Sequence, residues 1–125
     1  MAGIFLKASF RGSHFSLSIL NCYSSYLNRD VFWNAAARGG LLSLPNLILS
    51  GDLNLTLNAS KICGSKAQID PLGPFFTQLF ADFNLVDIAP SCAGPTWRND
   101  RTGEEGICKR LDRFLLSLSL IDLLP

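Results

Sequence analysis

Residues 46–58 read Asn-Leu-Ile-Leu-Ser-Gly-Asp-Leu-Asn-Leu-Thr-Leu-Asn. Asn46 to Ser50 is a short apolar run of the buried-strand type, punctuated before by Pro45 and broken after by Gly51. From Asp52 the residues alternate. If extended, this segment puts Asp52, Asn54, Thr56 and Asn58 on one face and Leu53, Leu55 and Leu57 on the other. An Asp and an Asn two apart, just past the end of a buried strand, stand where α/β sheets expose ligand-binding groups. The plainer reading is a half-buried edge strand, and spacing alone leaves both open.

Outward from this stretch, strands alternate with helices. Phe15, Leu17 and Ile19 alternate with Ser16 and Ser18, a period of two. Residues 1–29 also carry Lys7, Arg11, Arg29 and several serines with no acid, a composition like that of a transit segment. A pair of strands explains the order of those residues, whereas a transit segment explains only their composition, and the strands are the reading adopted. Asn28 is placed to cap a helix through Phe32, Trp33 and Ala35 to Ala37, ended by Gly39 and Gly40, with Leu27 and Phe32 as a hydrophobic staple. Asp70 and Pro71 read as the cap and first turn of a second helix, whose Phe75, Phe76, Leu79, Phe80 and Phe83 share one face as core. Leu85 to Ile88 is a short strand, Thr96 and Trp97 begin an extended piece, and Arg110 to Leu116 is a further strand. The class is α/β.

Composition narrows the function. The chain has 125 residues, 11 Lys plus Arg against 10 Asp plus Glu, and a net charge of +1. That balance excludes an acidic disordered tail and a polycationic nucleic-acid coater. The length allows one domain, residues 1–125. No apolar stretch reaches the ~18 residues of a membrane span. Cys22, Cys63, Cys92 and Cys108 are too widely spaced for a zinc hook, and His14 is the single histidine. They read as scattered thiols, mostly buried, in a reducing compartment. Charged residues are only 17% and the mean hydropathy is +0.25, which points to apolar surface that other chain would cover.

Asp112 stands out in Leu111-Asp-Arg-Phe-Leu-Leu116, where it shares a strand face with Phe114 and Leu116. A carboxylate among apolar neighbours needs a partner: Arg110, Arg113, a histidine or a metal.

Four ordered motifs then make a pattern: Asn21-Cys-Tyr23, Ser50-Gly-Asp-Leu-Asn54, Pro95-Thr-Trp97 and Lys109-Arg-Leu-Asp-Arg-Phe-Leu-Leu-Ser117. In this order they resemble the endonuclease/exonuclease/phosphatase (DNase I-like) superfamily. The intervening Phe32-Trp33, Asp70-Pro-Leu72 and Phe75-Phe-Thr-Gln-Leu-Phe80 resemble the endonuclease domain of plant LINE-type (non-LTR) retrotransposons, over residues 15–120 above all.

The resemblance implies a partial two-sheet α/β sandwich lacking N- and C-terminal strands. It implies a DNA phosphodiesterase using Mg²⁺ or Mn²⁺, with a reverse transcriptase domain elsewhere in the full-length element. By the same resemblance, Asp52 holds the metal-side water and deprotonates it, Asn54 steadies it, Tyr23 donates to the phosphate and Asp112 orients a histidine. Asn21 and Trp97 support the site, while Arg98, Arg101 and Arg113 are candidate nucleic-acid contacts. The family's metal-binding Glu and its Ser-Asp-His motif match nothing in this sequence, so little or no activity is expected of this chain alone. Two other readings remain. One is a non-catalytic nucleic-acid or protein-binding remnant using Arg98, Arg101, Lys109, Arg110 and Arg113. The other is the phosphatase branch of the same superfamily, where a Trp-x-Asp-Arg pattern is approached by Trp97-Arg-Asn-Asp-Arg101.

Overall fold

The alternation around Phe15 to Ile19 becomes a strand, and the residues before it supply its neighbour. In the computed structural model, which describes residues 2–57, 62–65, 67–92 and 94–125, β1 (Ala2–Ser9) and β2 (Ser16–Tyr23) form an antiparallel hairpin. Gly12, at φ 77, takes the left-handed conformation its turn requires. Helix α1 (Arg29–Arg38) then carries the chain to β3 (Leu47–Asp52), which lies parallel to β2. After β4 (Ile62–Cys63), helix α2 (Gly73–Asp82) leads into β5 (Leu85–Asp87). The remaining elements are β6 (Trp97–Arg98), β7 (Cys108–Lys109), β8 (Asp112–Ser117) and α3 (Leu118–Ile121).

The larger sheet runs β1-β2-β3-β8-β5 and the smaller β4-β7-β6. Arg110 and Leu111 join the two by linking β7 to β8. The α/β class expected from the sequence is therefore observed, with two sheets.

One face of the five-stranded sheet makes the core. Leu20, Leu47, Leu49, Leu115 and Leu85 pack there with Trp33 of α1 and Phe76, Leu79 and Phe80 of α2. Trp33 meets both Phe32 and Phe80 edge-on. Register fixes the opposite face. Leu6, Ile19, Ile48, Leu116 and Val86 form an apolar row across all five strands. Ile4 and Phe114 flank it, and Phe114 is 61% exposed. The uncovered apolar surface implied by composition is this sheet face.

Several local expectations change. Asn28 precedes α1, but in a left-handed conformation with no side-chain cap, and Leu27 is exposed, so no staple forms. Helix α2 starts at Gly73 with Pro74 in its first turn and Leu72 in the cap position, and Asp70 stands just ahead, its Oδ1 accepting from the Leu72 N–H at 3.0 Å. Its buried face, Phe76, Leu79 and Phe80, is as expected, with Phe75 and Phe83 packed beside it. The alternating segment after Asp52 is not a strand: β3 ends at Asp52, and Asn54 turns the chain at φ 52. Leu53 and Leu55 are nevertheless buried, and so is Thr56, placed on the polar face by simple alternation. Asn58 lies outside the described residues.

The cysteines are not all scattered thiols. Cys63 and Cys108 face each other across β4–β7 and are joined as a disulfide, Cys22 is a buried thiol and Cys92 an exposed one. Among the described residues, no helix is long and apolar enough to cross a membrane.

Candidate functional site

At the C-terminal end of β3, the sequence Ser50-Gly-Asp52 leaves the core and meets the start of β8. Asp52 lies directly opposite Asp112 in the antiparallel β3–β8 ladder, so the two carboxylates share one face. On that face, Asn21 pairs in register with Ser50, and its Nδ2 donates to Ser50 Oγ at 3.0 Å. Tyr23 follows two residues on along β2, with its side chain 56% exposed. The end of β2 is tied to the end of β3 where the Ser24 N–H donates to the Asp52 carbonyl at 2.9 Å. This approach requires Gly51: at φ 118, a Cβ there would collide with the Cys22 carbonyl oxygen.

The Asp52 carboxyl is pushed above its ordinary pKa by burial, with the charge of Asp112 adding in the same direction. The backbone N–H of Asn54 donates to Asp52 Oδ1 at 2.9 Å, which opposes that rise and fixes the orientation of the carboxylate. The Asn54 side chain is itself committed: Nδ2 donates to the Ser24 carbonyl at 3.2 Å. Asn54 also lines a pocket of about 170 Å³ with Tyr26, Gln68 and Lys109, to which neither Asp52 nor Asp112 contributes. Asp52, Asp112, Asn21 and Tyr23 thus come together on the sheet face. Asn54 joins them through its backbone.

Asp112 is exposed rather than packed among apolar side chains, because the face it shares with Phe114 is open. The buried charge on this strand is its neighbour. Arg113 is 1% exposed, donates to Asp87 Oδ2 and lies 3.4 Å from the Leu55 carbonyl. Arg110 completes the cluster on Asp87 Oδ1 at 3.1 Å. Arg113 is therefore a core residue and not a nucleic-acid contact. Arg98 and Arg101 remain exposed, the latter 3.7 Å from Glu105. Trp97 is 42% exposed in β6, next to Thr96.

Two residues escaped the sequence reading. Thr96 Oγ1 accepts from the N–H groups of Leu111 and Asp112, at 3.0 and 3.1 Å, and so seats Asp112. Ser50 anchors Asn21. Both lie inside the quoted motifs, where Thr96 reads as a strand start and Ser50 as the end of an apolar run. His14 sits exposed in the β1–β2 turn, at the opposite end of the sheet. The eight residues of β2, Ser16–Tyr23, span roughly 23 Å, so His14 has no access to the carboxylates.

Magnesium sites use one or two protein carboxylates, and the acidic side chains placed opposite each other on this face are Asp52 and Asp112. Among the described residues no group of three or more His, Cys, Asp or Glu side chains gathers as a metal cage.

The sheet order and the packed helices define an α/β fold with two sheets. It is similar to the solved endonuclease domain of TRAS1, a telomere-specific non-LTR retrotransposon, with a TM-score of 0.68 and 18% identity. The likeness covers 97% of this chain and 52% of the other, so the chain spans about half the length of that structure. No family model and no curated protein matches the sequence.

Proposed function

We propose that the chain is part of a metal-dependent phosphodiesterase domain of the retroelement endonuclease kind, built to cleave DNA, and that alone it does not complete the reaction. The observation that carries this reading is the Asp52–Asp112 pair. Like charges directly opposite in a sheet are unfavourable unless something between them makes use of both.

Each residue then has a part. Asp52, with its pKa raised and one oxygen held by the Asn54 N–H, is the general base for an attacking water. Tyr23 presents an exposed hydroxyl beside it for a phosphate oxygen. Asn21, fixed on Ser50, holds the Tyr23 end of β2 in place. Asp52 and Asp112 would hold Mg²⁺ or Mn²⁺, which when bound offsets charge on the phosphate and acidifies water. What the chain does not bring to this face is a third carboxylate or a histidine, among the described residues. In-line displacement develops charge on both entering and leaving oxygens, and one base with one donor answers only the first of these demands.

Titration with Mn²⁺ or Mg²⁺, followed calorimetrically, tests this. Binding should be weak and non-saturating, and weaker still in Asp52→Ala and Asp112→Ala. Submicromolar binding lost in Asp52→Ala would show a complete metal site and contradict the incomplete-site reading. Weak binding indifferent to both substitutions would contradict the pair itself.

A further inference from the structure

Strands β4 and β7 contribute only two residues each, yet they set Cys63 directly opposite Cys108, with Cα atoms 5.1 Å apart. The flanking backbone also approaches closely. Gly64 sits at φ 112, and a Cβ on it would collide with the Gly106 carbonyl oxygen. The chains on either side of the cysteines therefore approach as only glycine allows. Cys63 is exposed and Cys108 half-buried, so a small thiol or disulfide reaches the pair, whereas Cys22 is buried.

The bridge is also well placed. Cys108 stands four residues before Asp112, and the Thr96 N–H donates to the Lys109 carbonyl while Thr96 Oγ1 seats Leu111 and Asp112. The small sheet is thus built into the start of β8. With two-residue strands it has few hydrogen bonds of its own to hold it, and the disulfide closes a separation of 45 residues.

We propose that Cys63 and Cys108 are a reversible dithiol–disulfide redox site, oxidised by small-molecule disulfides such as glutathione disulfide, that locks the three-stranded sheet onto the start of β8. The Cys63 thiolate attacks one sulfur of glutathione disulfide, forming a mixed disulfide and expelling one glutathione thiolate. The Cys108 thiolate then attacks Cys63 Sγ, closing the protein disulfide and expelling the second. Two protein thiols lose two electrons, one glutathione disulfide gains them, and the two thiol protons end on the two glutathiones. Exposure of the bridge makes the reverse exchange accessible to reduced glutathione. The inference is independent of the nuclease reading.

The test equilibrates the full chain in glutathione buffers of graded ratio, traps free thiols by alkylation, and maps linked peptides by mass. The expected product is lighter by two hydrogens, with the Cys63 and Cys108 peptides joined, and excess reduced glutathione returns it to the dithiol. Amides of 97–98 and 108–112 should exchange about tenfold more slowly when oxidised, as expected where local opening is suppressed. Cys63→Ser should exchange at the reduced rate in every buffer, and a Cys22→Ser/Cys92→Ser double variant should keep the full response. Pairing of Cys108 with Cys92, thiols that stay free in excess glutathione disulfide, a bridge that resists reduced glutathione, or unchanged amide exchange would each overturn the proposal.

Discussion

Asp52 and Asp112 carry like charges on directly opposed positions of β3 and β8. Their opposition across β3–β8 disfavours the charged fold, and burial adds to that at Asp52. Asp112→Asn should therefore stabilise the chain by up to about 1 kcal/mol in urea unfolding at neutral pH, and lower the Asp52 pKa toward its ordinary value. Equal or lower stability would mean that the carboxylates do not feel each other. Arg113 behaves in the opposite way. Fully buried on Asp87, it should cost about 3–5 kcal/mol when replaced by Ala, since removing one partner leaves a buried charge under-compensated. A phosphate contact would instead lose DNA affinity at unchanged stability. The sequence pattern marks Leu111-Asp-Arg-Phe as a strand with a charge on each face. Which charge is buried depends on which face the helices cover, and that is long-range packing that a strand's own residues do not encode.

At the scale of elements, the Arg29–Asp70 pair joins α1 to the segment before α2. Arg29 donates to both Asp70 oxygens at 2.6 and 2.8 Å, and the N–H groups of Leu72 and Thr56 add two more bonds. Burial alone would raise the Asp70 pKa, but these donors outweigh it and hold the carboxyl below the usual range. A folded pKa below the unfolded one gives a contribution complete above about pH 4 and lost as pH falls through the folded value. Asp52 has the opposite sign, with stability present in acid and lost as pH rises through its raised value. The urea midpoint of Asp70→Asn should therefore fall less steeply below pH 4 than that of the parent chain. An identical acid slope would remove Asp70 from the account. Sequence periodicity identifies β2, β3, β5, β8 and the buried face of α2, because each repeats its apolar spacing over several residues. It reads Asp70 as the cap of α2, whereas the helix starts at Gly73 after Leu72, and Asp70 joins a local bond from the Leu72 N–H to an ion pair 41 residues away. It extends β3 through Thr56 because a buried turn can alternate as a strand does.

For the whole molecule, the decisive feature is that helices cover only one face of the main sheet. The row Leu6, Ile19, Ile48, Leu116 and Val86, with Ile4 and Phe114, leaves a large apolar patch in water. The chain should bind a fluorescent apolar dye while folded and associate as its concentration rises. Substituting Ile4 and Leu6 with Lys on the same face should reduce both effects, and a folded parent chain with no dye binding would contradict the exposed face. Low charge and positive hydropathy made this legible as a quantity of apolar surface, but its location required the strand register. The same face carries the carboxylate pair, at the ends of the interior strands β3 and β8.

The central proposal is that Asp52 and Tyr23 are the base and donor of an incomplete phosphodiester-cleaving site. Nicking of supercoiled plasmid with Mg²⁺, using chain shown to be folded by circular dichroism, tests it most directly beside Asp52→Ala and Asn54→Ala. The account predicts background nicking that neither substitution changes. Clear Mg²⁺-dependent nicking abolished by Asp52→Ala would contradict it and show the site to be complete.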